Sequence, residues 1–128
     1  MKKFLFLPLF IFISTAGTLM AQQASIKAAN TLTKETYLRL RDEGGIPSEQ
    51  LVKTNSVFED FYTEIQHTIA EMRTSGSNTA EEITRAWRNL STVRDECLIK
   101  IFTEAEMAKW QKIEPSLRLQ RIKEEQKD

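Results

Sequence analysis

The side chains that most often carry chemistry are few in this sequence. It contains one histidine, His67, and one cysteine, Cys97, which cannot build a zinc site from the usual nitrogen and sulfur ligands. A thiol nucleophile needs an imidazole nearby and an electropositive setting. His67 lies off the apolar face of its predicted helix, whereas Cys97 lies on the apolar face of another. We therefore interpret Cys97 as a buried structural thiol, with an intermolecular disulfide as the alternative.

The acidic residues are not spaced for a shared site either. Glu81-Glu82 and Glu124-Glu125 are adjacent in sequence, so on a helix the members of each pair point apart, as do Glu104 and Glu106. The sequence contains neither a glycine-rich phosphate loop nor a recognisable nucleophile motif. We predict no catalytic residues, no metal ligands and no cofactor, and therefore a protein that is not an enzyme.

Apolar periodicity predicts an all-α protein, a small bundle or a bent antiparallel arrangement of about four helices with coiled-coil character. The first helix is predicted over residues 25–43 and ends at Gly44-Gly45, although Thr33 could cap a shorter one. The second begins near Pro47 and continues to about Thr74. Its apolar residues recur at intervals of three, four and seven: Leu51, Phe58, Phe61, Tyr62, Ile65, Ile69 and Met72.

Two Thr-x-x-Glu capping boxes predict where the third and fourth helices begin. Thr79 with Glu82 opens the third helix, and Thr103 with Glu106 opens the fourth. Pro115 predicts a kink or a restart within the fourth helix. The predicted apolar face of the third helix, with Arg94 at its edge, comprises Ile83, Trp87, Leu90, Val93, Cys97 and Ile101.

Residues 1–21 are predicted to be a cleavable secretory signal. A basic start at Lys2 and Lys3 precedes an apolar run over residues 4–13, small and polar residues follow over residues 14–18, and the favoured cleavage point comes after Ala21. Cleavage after Ala16 is an alternative, as is an uncleaved anchor, but the apolar run is shorter than the ~20 residues that span a bilayer. We expect a periplasmic or secreted protein with no stable membrane insertion after cleavage.

The remaining segment, residues 22–128, is predicted to be a single helical domain with a charged C-terminal tail. It has 107 residues and a net charge of −2, which indicates one domain and argues against a general nucleic-acid binder. Residues 118–128 are mostly charged and are predicted to be a solvated helix or a frayed tail. A loose group of basic residues is interpreted as a solvated face: Arg73, Arg85, Arg88, Arg94 and Lys100.

The aromatic residues favour a protein-binding surface. Phe61 and Tyr62 are neighbours and face about 100° apart on a helix, so the apolar face of the second helix is wide. A small domain buries a limited share of its surface, and a wide face on a long helix requires a second partner surface. We assign a homodimer seam or a surface for other proteins to Phe58, Phe61, Tyr62, Trp87 and Trp110.

The segment Phe102–Trp110 resembles the LTxxQ motif that opens helices in the exported Spy and CpxP-like stress proteins. Leu32–Thr36 is a second, weaker match. Glu106 and Thr36 replace the closing glutamine, and Phe102 replaces the leucine. The resemblance implies a bent helical dimer whose concave surface binds unfolded or misfolded proteins without ATP. Some family members bind metals or restrain an envelope sensor kinase, and the single histidine disfavours the metal-binding branch here.

Together these features predict an exported protein that binds other proteins by reversible apolar contact. We expect an ATP-independent periplasmic chaperone or an envelope-stress regulator, whose partners are unfolded or envelope proteins, with a homodimer as a further option. The alternative is a structural or accessory subunit that docks permanently on one envelope partner. The sequence leaves open whether the helices close on themselves or open into a cradle.

Overall fold

The computed structural model describes residues 29–127, with side chains described as far as residue 124. Within that range the regular elements are four α-helices, which confirms the predicted all-α class. They are α1 over residues 29–42, α2 over Ser48–Ser75, α3 over Ala80–Ile99 and α4 over Glu104–Lys127. None of the helices in the described range is long and apolar enough to cross a membrane. The predicted signal, residues 1–21, and the predicted first turn of α1 lie outside it.

Two glycines end α1, as predicted. Gly45 has a left-handed φ of 61°, and the Gly45 and Ile46 amides donate to the carbonyls of Arg41 and Leu40. The bond from the left-handed Gly45 to Arg41 is the αL arrangement, which satisfies one of the last helical carbonyls. A Cβ at residue 44 would lie 2.7 Å from the Leu40 carbonyl oxygen, so the position before the turn also requires glycine.

The remaining helix boundaries follow local sequence rules. Gly76, with a φ of 79°, ends α2. Thr79 caps α3 by accepting from the Glu82 amide at 3.2 Å. At the start of α4 the box is reciprocal: the Glu106 amide donates to Thr103 Oγ1 at 3.2 Å, and the Thr103 amide donates to Glu106 Oε1 at 2.9 Å. Both predicted caps are confirmed.

The alternative prediction, in which Thr33 caps a shorter first helix, is wrong. It lies inside α1, where its hydroxyl donates to the Ala29 carbonyl at 2.8 Å. The α4 helix continues through Pro115 without a restart, so of the two predicted alternatives the restart is wrong and the kink stays a prediction. Its charged end is not simply solvated, since Arg121 and Ile122 are buried.

Short connections make sequence neighbours antiparallel, and long-range hydrogen bonds close the bundle. Gln50 Nε2 donates to the Ile101 carbonyl and to Glu106 Oε1, each at 2.9 Å. The start of α2 therefore lies beside the connection between α3 and α4. A 2.6 Å hydrogen bond joins the hydroxyls of Thr36 and Tyr62, which ties α1 to α2.

An ion pair between Arg121 and Glu35 ties α4 back to α1. All four helices thus pack around one core, and the described chain is a closed bundle rather than an open cradle. The buried apolar residues of this core are Ala29, Leu40, Ile46, Leu51, Phe58, Phe61, Tyr62, Ile65, Ile69, Ile83, Trp87, Leu98, Phe102, Met107, Trp110, Ile113, Leu117 and Ile122.

The buried face of α3 is rotated from the predicted one. The sequence offers two faces that share Ile83 and Trp87 and then diverge. The structure buries the face that continues through Ser91, Arg94 and Leu98. The more apolar face, through Leu90, Val93 and Cys97, remains partly or largely open, with Val93 60% exposed.

Candidate protein-binding surface

The five aromatic residues predicted to bind proteins lie together inside the bundle. The most exposed of them, Phe61, is only 4% exposed. Ring centroids are 5.1 Å apart for Phe58 and Trp110 and 5.3 Å apart for Phe61 and Trp87, in edge-to-face geometry. The cluster joins α2 to α3 and α4, so these rings form core in this arrangement. A partner would reach them only if the helices separated, and their predicted binding role stays a prediction.

Arg94 lies against this aromatic cluster and is buried, with a side chain 2% exposed. Its guanidinium carbon is 4.5 Å from the Phe61 ring centroid and 4.8 Å from that of Trp110. Arg94 Nε lies 2.9 Å from Asp95 Oδ1, and Nη2 lies 3.5 Å from Glu114 Oε2. The prediction that Arg94 belongs to a solvated face is wrong, because carboxylates and ring faces replace its hydration.

The Arg94 network connects α3 to α4. Trp110 Nε1 donates to Asp95 Oδ1 at 3.1 Å, so Asp95 accepts from one side chain on each helix. Glu114 is 3.5 Å from Arg118 as well as from Arg94. Two arginines and two carboxylates are thereby brought together, and the network has no net formal charge.

A groove of about 210 Å³ lies between α2 and α3. Val57 and Phe61 line it from α2, and Leu90, Val93 and Cys97 line it from α3. The prediction that Cys97 is buried is wrong, since the thiol is exposed and free. The cause is the rotation of α3, which turns Arg94 inward and leaves the opposite edge of its apolar face in this groove.

The α2 edge of the groove is acidic. Asp60 and Glu64 line it, and both residues are exposed. Neither carboxylate has a hydrogen bond or ion pair with any residue in the described range. Arg94 is the one cation among the lining residues, and its charge is matched by Asp95 and Glu114. The groove therefore combines an apolar floor with unmatched negative charge along one edge.

Sequence reasoning missed this groove and the Arg94 network. The sequence contains one signal for the groove: the two possible apolar faces of α3 diverge after Trp87. Together they carry more apolar surface than packing against the bundle on one side can bury. Another signal is the like-charged pair Asp60 and Glu64, four residues apart. No group of three or more His, Cys, Asp or Glu side chains in the described residues is arranged to hold a metal ion.

No family model matches the chain, and no curated protein or solved structure has significant similarity to it. The resemblance of the helix-opening segments to the Spy and CpxP-like family therefore stays a prediction.

Proposed function

We propose that this protein is an exported accessory subunit that binds an apolar helical segment of a partner protein in the groove between α2 and α3. Binding is by apolar contact with no covalent chemistry. The observation that carries the proposal is the open apolar face of α3, formed by Leu90, Val93 and Cys97, beside a core that is already closed. An apolar helix face that its own bundle leaves uncovered is typical of a surface that another protein covers.

The geometry favours a dedicated partner over many unfolded clients. A chaperone of the predicted kind would present its aromatic residues on a wide concave surface. Here Phe58, Trp87 and Trp110 are buried, and the open apolar surface is a narrow groove between two antiparallel helices. A groove of this shape suits one helix laid along it.

The groove can supply a modest affinity. Full burial of a valine or leucine side chain contributes about 1.5–3 kcal/mol, and Val57 and Leu90 are already partly covered. Against this, association costs at least about 4 kcal/mol in lost translational and rotational freedom. The free energy gained by apolar contact with Val93, Leu90 and Val57 alone therefore exceeds the cost of association by little. Contacts at the groove edges must contribute the rest of the affinity.

The test uses a panel of amphipathic peptides of about five helical turns, ~18 residues long. All carry the same leucine stripe at helical spacing, and their flanking positions are lysine, glutamine or glutamate. A scrambled peptide of equal composition lacks the stripe. We expect at least one striped peptide to bind the purified protein saturably by fluorescence anisotropy, and the scrambled peptides not to bind.

Two matched variants locate the binding. Val93→Ser removes an apolar contact in the groove and should weaken the best peptide about tenfold, equivalent to about 1.4 kcal/mol. Ile99→Ser is the control, because Ile99 is as exposed as Val93, at 63% against 60%, but does not line the groove. Absence of binding by the whole panel, or equal weakening by both variants, would overturn the proposal.

A further inference from the structure

The acidic edge of the groove is not neutralised by its own helix. Like charges four residues apart on a helix repel each other, and Asp60 and Glu64 have that spacing. The positions three or four residues from either carboxylate hold no lysine or arginine. Apart from the two acids themselves they are Ser56, Val57, Phe61, Thr63, His67 and Thr68.

Three exposed carboxylates elsewhere in the bundle have such partners. Glu43 is 2.6 Å from Arg39, Glu81 is 3.6 Å from Arg85, and Glu124 is 2.8 Å from Arg121, each three or four residues away along its helix. By contrast, the two carboxylates of α2 that line the groove have no such partner.

The acidic edge continues along α2. Glu71 follows Glu64 by seven residues, two helical turns, and therefore lies on the same face. It is exposed. Asp60, Glu64 and Glu71 form an acidic row about 16 Å long, at 1.5 Å rise per residue. The row is long enough to form ion pairs with several lysine or arginine residues of a helix that lies along the groove.

We propose that the occupant of the groove is a cationic amphipathic helix of another protein, and this inference rests on the function proposed above. Its apolar stripe would cover Val57, Leu90 and Val93. Lysine or arginine residues along one side of the stripe would face Asp60 and Glu64. Opposite charges at this rim accelerate encounter and select the orientation of the helix, while apolar contact holds it.

A second copy of this chain fits the groove less well. Its exposed α4 face carries Lys112, Leu119 and Lys123 at helical spacing, so it offers suitable charge. However, Leu119 is the only large apolar side chain exposed on α4 in the described range, and one leucine covers little of the groove. A partner helix with several apolar anchors matches both the floor and the edge.

The same peptide panel tests this inference separately from the proposed function. We expect affinity to fall from the lysine-flanked to the glutamine-flanked to the glutamate-flanked peptide, with about tenfold between the first and the last. Raising the salt concentration should narrow that ratio, because the rim is exposed to screening. Equal affinity for all three peptides, with the Val93→Ser effect intact, would overturn the charge inference and leave the proposed function standing.

Charge variants of the protein assign the effect to the groove edge. The double variant Asp60→Asn, Glu64→Gln should lose most of the preference for lysine flanks and keep its affinity for the glutamine-flanked peptide. The control is Glu49→Gln, Glu59→Gln, which removes the same charge from exposed residues of α2 outside the groove lining. An equal loss in the control would mean that net charge, not the groove edge, attracts the peptide, and would overturn the inference.

Sedimentation of the protein alone tests the second copy. We expect a monomer across the concentrations used for binding. A dimer that the Lys112→Glu, Lys123→Glu variant dissociates would show that α4 of a second copy occupies the groove, and it would overturn the inference of a foreign helix.

Discussion

The buried guanidinium of Arg94 depends on its neighbours for the interactions that water would otherwise supply. Asp95 and Glu114 provide negative charge at 2.9 and 3.5 Å, and the rings of Phe61 and Trp110 provide electron-rich faces. Replacing a buried ion pair by apolar residues is often neutral, but removing one partner leaves the other charge uncompensated. The fold is therefore destabilised mainly when one charged member of the network is removed and the others remain.

Arg94→Met is expected to destabilise the fold by about 3 kcal/mol. The substitution retains much of the apolar stem but leaves Glu114, whose side chain is 11% exposed, without its buried cation. Urea unfolding followed by circular dichroism measures the change. Arg88→Met is the matched control, since Arg88 is exposed on the same helix, and it should change stability by less than about 0.5 kcal/mol. Equal urea midpoints for Arg94→Met and the native protein would contradict this account.

For individual side chains, the sequence predicted the burial that periodicity within one helix can show. The α2 core positions Leu51, Phe58, Ile65 and Ile69 are buried as expected. The orientation of α3 was mispredicted, because hydrophobicity alone favours Val93 and Cys97 over Ser91 and Arg94 for the buried face. The carboxylates of Asp95 and Glu114 compensate the charge of Arg94 and so allow its burial. Glu114 lies on another helix, and its proximity to Arg94 is not encoded in local spacing.

At the scale of elements, Glu106 connects the start of α4 to the start of α2. Its carboxylate accepts from Gln50 Nε2 and from the Thr103 amide, both at 2.9 Å. The Gln50 hydrogen bond, with the Thr103 amide second, lowers the pKa of Glu106 below its ordinary value of 4.5. A capping box that also bonds a second helix fixes both the start of α4 and its position against α2.

The lowered pKa gives stability a defined dependence on pH. A carboxyl group whose pKa is lower in the folded state stabilises the fold fully above its unfolded-state pKa. The contribution is lost as the pH falls through the folded-state value. Glu106→Gln keeps an oxygen acceptor but cannot ionise. We therefore expect the native protein to exceed Glu106→Gln in stability at pH 7 and this advantage to shrink as the pH falls below 4.5.

Urea unfolding at several pH values measures that difference. Glu106→Ala removes the acceptor as well and should cost about 1 kcal/mol at pH 7, the typical net contribution of a hydrogen bond. Glu104→Gln is the control, because Glu104 is exposed at the start of the same helix and is not part of the box. A difference between native and Glu106→Gln proteins that stays constant from pH 7 to pH 3 would contradict the assignment.

Helix boundaries were predicted well because they are set locally. The capping threonines, Gly45 and Gly76 each act within a few residues, so the sequence contains the whole cause. The course of α4 was predicted less well. Pro115 is accommodated without a break, and the charged end is held by the Arg121–Glu35 ion pair, in which the partner is 86 residues away. That contact exists only once α1 has packed against α4.

The closure of the bundle determines which surfaces are available to a partner. Tyr62 shows that α1 covers α2, because its hydroxyl is hydrogen-bonded to the hydroxyl of Thr36 on α1. Burial of the phenol raises its pKa. The sequence predicted wide apolar faces but left open whether a bundle closes over them. That outcome depends on how four helices share one core, which the spacing within any one helix does not specify.

Closure leads to a prediction about chaperone activity. The folded protein is expected not to suppress the aggregation of an unrelated client at equimolar ratio, because the aromatic cluster of Phe58, Phe61, Tyr62, Trp87 and Trp110 is inside. Light scattering of the aggregating client measures this well below the unfolding temperature of the protein. Phe61→Ser and Tyr62→Ser are unsuitable as probes of client binding, since loss of a buried aromatic side chain costs about 3–5 kcal/mol and impairs the fold itself.

Val93→Ser is the informative variant in the same experiment, because it changes the exposed groove and spares the core. Suppression by the native protein at equimolar ratio that Val93→Ser abolishes would mean that the groove accepts unfolded clients, contrary to a dedicated partner. Val93→Ser could instead leave the suppression unchanged while quenching measurements show increased solvent exposure of Trp87 and Trp110. That result would mean that the bundle opens to expose its aromatic core. With no suppression in either protein, the groove and its acidic edge remain the surface proposed to bind a partner.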